Sequence, residues 1–403
     1  MRNAFNHPCE GSLAAIEPRF LQQPDGAMKR GRVEFTVYQG REGLSRLHDE
    51  WKQITHPMKM RRYFHLYPWY QSLLEASEPL GKECLFFLVR QGPEPVAILP
   101  LAPGQVRVLG LSFRTLEIPG DDLSDFMIHP DAEGSHILAS LIDHLESSGN
   151  PAWDLILLPN LLEDSAVMPT FSGFSRLSDD CVLEVSGKCD YLRLETRQPY
   201  RMALSRNFRA NLRKAENKLA RQDRPEFIVA SRKEDLLEHF EAFLNVEASG
   251  WKGTTGLRTA IQLSPPMLQL FTRLIERFST DQCCRINLLK LNGETAAGQF
   301  CLLSGDTLYI LKIGYNEKFS KLSPGNLLLN HVIQDAIQNG VIHDINLVTD
   351  TPWHSLWNPL SYTVYRAYLF RKTLRGRLAL SLVHLRKRLR AINRRWNVLR
   401  REG

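Results

Sequence analysis

The chain has 403 residues, 43% hydrophobic and 24% charged, which fits a folded globular protein and excludes a disordered or fibrous one; the length points to two domains. Seven scattered cysteines without a C-x-x-C pair argue against a disulfide frame or zinc site and for a reducing compartment, and no apolar run is long enough to span a membrane. The net charge of +7 is unevenly placed: from Arg366 onward 13 Lys or Arg face one acid, so the tail carries +12 and the rest of the chain −5.

Residues 1–30 show no periodicity and read as disordered, without the apolar core of a secretion signal. A strand from Val33 leads into a helix marked by Leu44, Leu47 and Trp51. The aromatic run Tyr63 to Tyr70 then enters a second helix and reads as core, because aromatic rings carry large buried area. Leu85 to Arg90 and Val96 to Leu101 form a hairpin around Gly92-Pro93, extended by Gln105 to Leu111. The acidic loop Asp121 to Asp125 lacks the Gly and terminal Glu of a calcium loop and reads as a solvated turn. A helix at 134–148 and a strand at 153–158 follow.

From Ser205 a helix sets Leu204, Phe208, Leu212 and Leu219 on one face and Arg206, Arg209 and Arg213 on another. The arginine row is either a solvated face or a grip for an anion. A strand at 227–230, helices at 234–246 and 266–278, and a hairpin with an Asn292-Gly293 turn lead to the most informative stretch, Thr307 to Val348. It reads as strand, loop, helix, strand. Its joint, Ser323-Pro324-Gly325-Asn326, exposes backbone N–H groups at the positive end of a helix, a place suited to a phosphate or pyrophosphate; an ordinary capped helix start fits the same residues. The halves repeat: the helix between Gly134 and Gly149 has its counterpart between Gly325 and Gly340, each preceded by a hairpin and followed by a strand.

These motifs, in this order, resemble the CelD/BcsL group of acetyltransferase-like proteins within the GNAT and FemAB superfamily. The resemblance covers roughly residues 33–366. It is carried by Phe64 to Trp69, Leu99-Pro100-Leu101, the 206–219 helix, Trp251-Lys252-Gly253, Ala296-Ala297-Gly298, Gly314-Tyr315-Asn316, Ser323-Pro324-Gly325 and Thr349 to Trp357. It departs where Tyr315-Asn316 stands for Tyr-Asp and Trp353-His354 for Tyr-Lys. It implies an α/β fold with mixed sheets, made of two GNAT-like acyl-CoA N-acyltransferase units in a FemAB-like arrangement, 31–185 and 186–366, with a basic helical tail at 367–403. The implied reaction moves an acyl group from acetyl-CoA or another acyl-CoA, without a metal, to an amine or hydroxyl of a polysaccharide, lipid or cell-envelope precursor. FemAB relatives imply an aminoacyl-tRNA donor instead; a non-catalytic module of an exopolysaccharide complex is a third reading.

Acyl transfer needs an anchored donor, a polarised carbonyl, a base for the attacking group and an acid for the leaving thiolate. Ser323, Gly325, Asn326 and Leu327 are the donor-binding candidates; Tyr315 is the candidate acid, and Asp350 and His354 are candidate bases. Arg209, Trp251, Lys252 and Trp353 are candidates for holding the substrate. Each also has a structural reading: a core tyrosine, a turn aspartate, a partly buried ring. In the tail, Leu382, Leu385, Leu389, Ile392, Trp396 and Leu399 step along one helical stripe among arginines. That suits an anionic membrane surface through 374–401 and a protein at the cytoplasmic face, with packing on its own domain or a tRNA contact as alternatives.

Overall fold

The computed structural model describes residues 31–120, 122–171, 178–194, 200–221, 225–254 and 256–402, without the side chains of 178, 391 and 393–402. The segment expected to be disordered, 1–30, and Asp121 lie outside the described residues. The first unit runs β1 (Val33–Gln39), α1 (Gly40–Ser45), α2 (His48–Thr55), α3 (Tyr67–Ala76), α4 (Glu78–Glu83), β2 (Leu85–Gln91), β3 (Glu94–Val108), β4 (Leu111–Glu117), β5 (Met127–Ile128), α5 (Gly134–Ser148) and β6 (Leu155–Leu162). After β7 (Cys181–Arg193) and α6 (Arg206–Leu219) the pattern returns as β8 (Glu226–Ala230), α7 (Lys233–Ala248), α8 (Pro265–Phe278), β9 (Cys284–Leu291), β10 (Glu294–Ser304), β11 (Thr307–Tyr315), α9 (Pro324–Asn339) and β12 (Asp344–Asn346). β13 (Leu360–Phe370) and α10 (Leu374–Glu402) close the chain.

The strands form one mixed sheet in the order β1-β2-β3-β4-β6-β13-β7-β12-β11-β10-β9-β8, with β5 beside β3. Two pairings are parallel, β4 with β6 and β11 with β12, and each is the crossover spanned by α5 or α9. The expected repeat is therefore a repeat of architecture. Both crossover helices end on a glycine in the left-handed region, Gly149 at φ 66° and Gly340 at φ 65°, where a Cβ would be strained.

The centre of the sheet is a strand exchange. β7, which follows the first unit, pairs with β12 of the second; β13, which follows the second, inserts between β6 of the first unit and β7. The boundary drawn at 185/186 falls inside β7. On one face α3 and α8 bring the units together, with Arg273 and Arg277 of α8 both paired to Glu75 of α3. The aromatic run is core here: Tyr63, Phe64, Trp69 and Tyr70 are all buried, and Trp51 joins them through an Nε1–H bond to the His65 carbonyl at 2.8 Å. The opposite face is covered by α5 and α9.

The acidic loop is not a solvated turn. Ser124 and Asp125 are buried, and Asp125 accepts the Ser165 hydroxyl at 2.8 Å and its neighbour's amide; burial pushes its carboxyl up to about 7. Asp122 instead reaches Lys312 of β11, 3.6 Å away, so the loop joins the two units. A loop rich in aspartate looks solvated from composition, but here it is sandwiched at the unit boundary, where Asp122 and Asp125 each find a partner.

Candidate active site

Two features of the second unit open a wedge in its sheet. β11 and β12 pair only over Thr307–Tyr309 and Asp344–Asn346, so from Ile310 to Tyr315 β11 is paired with β10 on one edge and has no strand on the other. Within that free stretch Leu311 is the extra residue of a bulge against β10, which re-aims the strand. In the first unit the corresponding pairing reaches Glu117, the last residue of β4. A parallel pair that splays leaves backbone groups of one strand free for a ligand.

The floor of the wedge depends on glycine. Gly314 of β11 faces Gly298 of β10, and α7 presses onto this pair: a Cβ on Gly314 would lie 2.4 Å from Glu247 Cα, and one on Gly298 3.0 Å from Phe243 and Val246. The close approach brings Glu247 and the following loop to the β11 edge. There Lys252 donates to the Ile313 carbonyl at 2.8 Å and lies 3.1 Å from Glu247 Oε1, an ion-pair contact rather than an aligned hydrogen bond. Both side chains are largely buried; burial lowers the Lys252 ammonium below its ordinary value, against the opposing pull of Glu247. Trp251 is half exposed, with the Lys252 ammonium 5.5 Å from its ring centre. Tyr315 ends β11, 39% exposed.

At the other end of the wedge α9 begins. Ser323 sits in the left-handed region at φ 52°, Pro324 takes the first helical position, and no side chain caps the helix. This uncapped helix start borders a cavity of about 280 Å³, which Ser323 and Asn326 line. Asn211, Lys214 and Lys218 of α6 line it, with Lys321, Ser323 and Asn326 opposite and Phe208 and Leu356 as its apolar wall. Three lysines around a helix start are an anion site with two independent sources of positive potential. Lys218 also donates to the Lys321 carbonyl at 3.3 Å, which ties α6 to the loop. Deeper in, Asn330 of α9 donates to Glu216 of α6 at 3.1 Å while Arg201 pairs with the same carboxylate, fixing the two helices at a set distance. The size, the positive lining and the adjoining open strand edge fit a pyrophosphate with a pantetheine arm running into the wedge. The matching helix start in the first unit is closed: a Cβ on Gly134 would meet the Ala166 carbonyl oxygen at 2.3 Å.

Leu327 has nothing left to offer a donor. Its side chain is core and its N–H is spent on the Ser323 carbonyl at 3.1 Å. Arg209 lies outside the cavity lining and rests on the Met202 sulfur at 3.6 Å. The cavity row on α6 is instead Asn211, Lys214 and Lys218, spaced i, i+3, i+7 beside the buried row Phe208, Leu212, Ala215 and Leu219. That spacing is in the sequence and distinguishes these lysines from the arginines on the far side.

After β12, a short 3-10 helix, Pro352–Trp357, carries Trp353 and His354 and supplies Leu356 to the cavity wall. Asp350 is exposed and accepts the Lys188 amide at 3.2 Å. His354 is buried, with both ring nitrogens engaged: Nδ1 lies 2.9 Å from Asp190 Oδ2 and Nε2 2.7 Å from the Thr351 hydroxyl. With Asp190 ionised, Nδ1–H donates to it and Nε2 accepts from Thr351; Ser361 donates to the other Asp190 oxygen at 2.5 Å. A direct exchange of a proton with an acceptor is closed to this ring, and its visible work is to tie the 3-10 helix to β7 and β13. Trp353 packs edge-on against it, half buried on the core. His354→Ala should leave a buried carboxylate short of a partner and cost about 3 kcal/mol of stability, read as a lower urea midpoint. An unchanged midpoint with lost turnover would make the ring part of the chemistry instead.

Residues 206–354 match the family described as Acetyltransferase (GNAT) domain. No curated protein sequence matches the chain. Among solved structures it is similar to L-PGS from Bacillus licheniformis, at 14% identity and a TM-score of 0.50 over 86% of this chain and 96% of that one. It is also similar to FemX, at 11% identity and a TM-score of 0.51 over 80% and 96%. A tandem GNAT protein from the clavulanic acid biosynthesis pathway aligns over 83% and 98% of the chains, at 12% identity and a TM-score of 0.46. The matched span runs from the first residue of α6 to His354 and so takes in the wedge, the start of α9 and the first half of the 3-10 helix: this part of the second unit is similar to a GNAT-type acetyltransferase domain.

Proposed function

We propose that the protein is an acyl-CoA-dependent acyltransferase of the CelD/BcsL type, which moves an acyl group to an amine or hydroxyl of a polysaccharide, lipid or cell-envelope precursor. The observation that carries the reading is the cavity at the start of α9, where uncapped amides and Lys214, Lys218 and Lys321 converge beside a strand edge left open by β12. An acyl-CoA bound there supplies an activated thioester carbonyl. The chain's own residues then have separable tasks. The Gly325 and Asn326 amides and the lysines hold the phosphates, and free backbone groups of β11 beyond the bulge orient the thioester.

The acceptor enters from the opposite side, past Trp251. The buried Lys252 and Glu247 fix the Ile313 carbonyl and keep the strand edge rigid. Attack forms the new C–N or C–O bond and breaks the C–S bond. The acceptor's proton leaves to a base, for which Asp350 is the exposed carboxylate after β12, and the thiolate takes a proton, for which Tyr315 at the end of β11 is the candidate. Exclusion of water falls to Phe208 and Leu356 at the cavity wall. The acceptor class rests on the CelD/BcsL resemblance.

Removing both α6 lysines tests the donor half. At about 1.5 kcal/mol for each charged contact, Lys214→Ala with Lys218→Ala should weaken coenzyme A roughly a hundredfold by calorimetry. Binding of aminoacyl-tRNA without coenzyme A would move the protein to the FemAB-like alternative, and a chain that binds neither would be the non-catalytic module.

A further inference from the structure

α10 has two apolar rows. At about 100° per residue, Ala379 and Val383 fall on one side, and both are fully buried in a cluster with Val106 and Phe113 of the first unit and Tyr368 and Phe370 of β13. Leu374, Leu378, Leu385, Leu389 and Ile392 fall on another, roughly 130° round the helix, and are 45% to 90% exposed. Packing on the protein's own domain is therefore already satisfied by a different face, and the outward row is left without a protein partner among the described residues. The stripe expected from sequence began at Leu382, which the fold half buries at the edge of the packed side; the outward row starts a turn and more earlier.

Arginines border the outward row on both flanks. Arg377 and Arg388 lie along one side and are exposed; Arg375 and Arg386 lie along the other, with their guanidiniums turned back to Asp154 and Glu184 at 3.2 and 3.5 Å. Beside the first turn, where Arg375 donates to the Ser112 carbonyl at 2.9 Å, the β3–β4 hairpin tip adds exposed Leu109 and Leu111. A leucine row needs an apolar phase, and flanking arginines need anions at its boundary. A second copy supplies the first but not the second: α10 holds ten Lys or Arg and a single acid, Glu402, so paired helices would repel. Nucleic acid supplies the anions but has no phase for five leucine and isoleucine side chains.

We propose that α10 docks the protein on an anionic lipid surface, lying in the plane of the interface with the outward row at the acyl–headgroup boundary. The inference goes beyond acyl transfer and does not depend on it. No helix among the described residues is long and apolar enough to cross a membrane, and none is required to. The orientation follows from the packed row: the first unit's sheet is held on the side of α10 turned away from the lipid, so the body stands on the helix rather than hanging from a loose tail.

The test is sedimentation of the full chain with vesicles. With phosphatidylglycerol mixed into phosphatidylcholine, most of the protein should pellet at moderate salt and be released as salt rises; with phosphatidylcholine alone it should stay in solution. Leu385→Glu with Leu389→Glu, two positions outside the core, should lower the partition at least tenfold while the thermal melt is unchanged. Arg377→Gln with Arg388→Gln should weaken binding and flatten its salt dependence. Parent protein that stays in the supernatant overturns the proposal, as does equal pelleting of the leucine variant. A parent dimer that the leucine variant splits, without vesicle binding, would assign the row to a second copy.

Discussion

Gly325→Asp is expected to lower the affinity for coenzyme A at least a hundredfold while leaving the protein as stable as before or slightly more so. Nothing lies within 4 Å of a Cβ built on Gly325, and its backbone is not in the left-handed region, so the side chain enters without strain. Its carboxylate then stands before the Gly325 and Asn326 amides in the first turn of α9. For the free protein this is favourable, because an anion at a helix N-terminus gains about 0.3–1 kcal/mol from the dipole. For the donor it is prohibitive: a phosphate placed about 4 Å from the new charge meets on the order of 4 kcal/mol of repulsion at an effective dielectric of 20, besides losing the amides. The opposite signs make the experiment diagnostic. Calorimetry with coenzyme A and a thermal melt should diverge for Asp and agree with the parent for Gly325→Ala. Donor affinity within threefold of the parent in the Asp variant would place the donor elsewhere.

Gly314→Val is expected to cost more than about 3 kcal/mol of stability. The new Cβ would sit 2.4 Å from Glu247 Cα and 2.7 Å from its nitrogen, and both neighbours are backbone. Overpacking is tolerable where a flexible side chain can swing aside; here a strand inside the sheet would have to part from a sixteen-residue helix. Gly298 on the next strand is also close to the helix, but to its side chains: a Cβ there would lie 3.0 Å from Phe243 and Val246. Separation would also pull Lys252 off the Ile313 carbonyl, so surviving protein should bind acceptor poorly. Equilibrium denaturation gives the number. A loss under 1 kcal/mol would mean that α7 does not need the glycine floor.

Much of this frame is legible in the chain. α9 and α5 were readable because a 3.6-residue period, a glycine beyond the last turn and a following apolar strand all agree. The glycine-spaced repeat is legible as a duplication and Ser323-Pro324-Gly325 marks the second copy for the donor, but that the Ala166 carbonyl closes the helix start at Gly134 is seen only in the fold. The arginine row of α6 drew attention by its charge, whereas the lysines that reach the cavity do so because they border the buried row, a matter of which way the helix is turned. His354 shows the same limit from another side. Its place after β12 is where an acceptor would approach, yet a spacing cannot say that Asp190, more than a hundred and sixty residues earlier, occupies one of its nitrogens. β7 and β13 carry ordinary strand signals, but their partners lie in the other half, and no local period encodes a partner.

That exchange of strands has a consequence for how the protein is made. At roughly 5–20 residues per second, a ribosome spends on the order of ten to forty seconds between finishing β6 and finishing β13. Through that interval the growing chain holds a first unit whose last strand presents an unfilled edge, while β7 waits for a β12 that does not yet exist. Open edges of this kind are templates for pairing with the wrong chain, above all with another copy on the same messenger. The yield of folded protein is therefore expected to depend on what shields the β6 edge while its filler is still being translated, as well as on the stability of the finished sheet. Slower elongation before β13 lengthens the exposure, and a chaperone that covers the edge removes it.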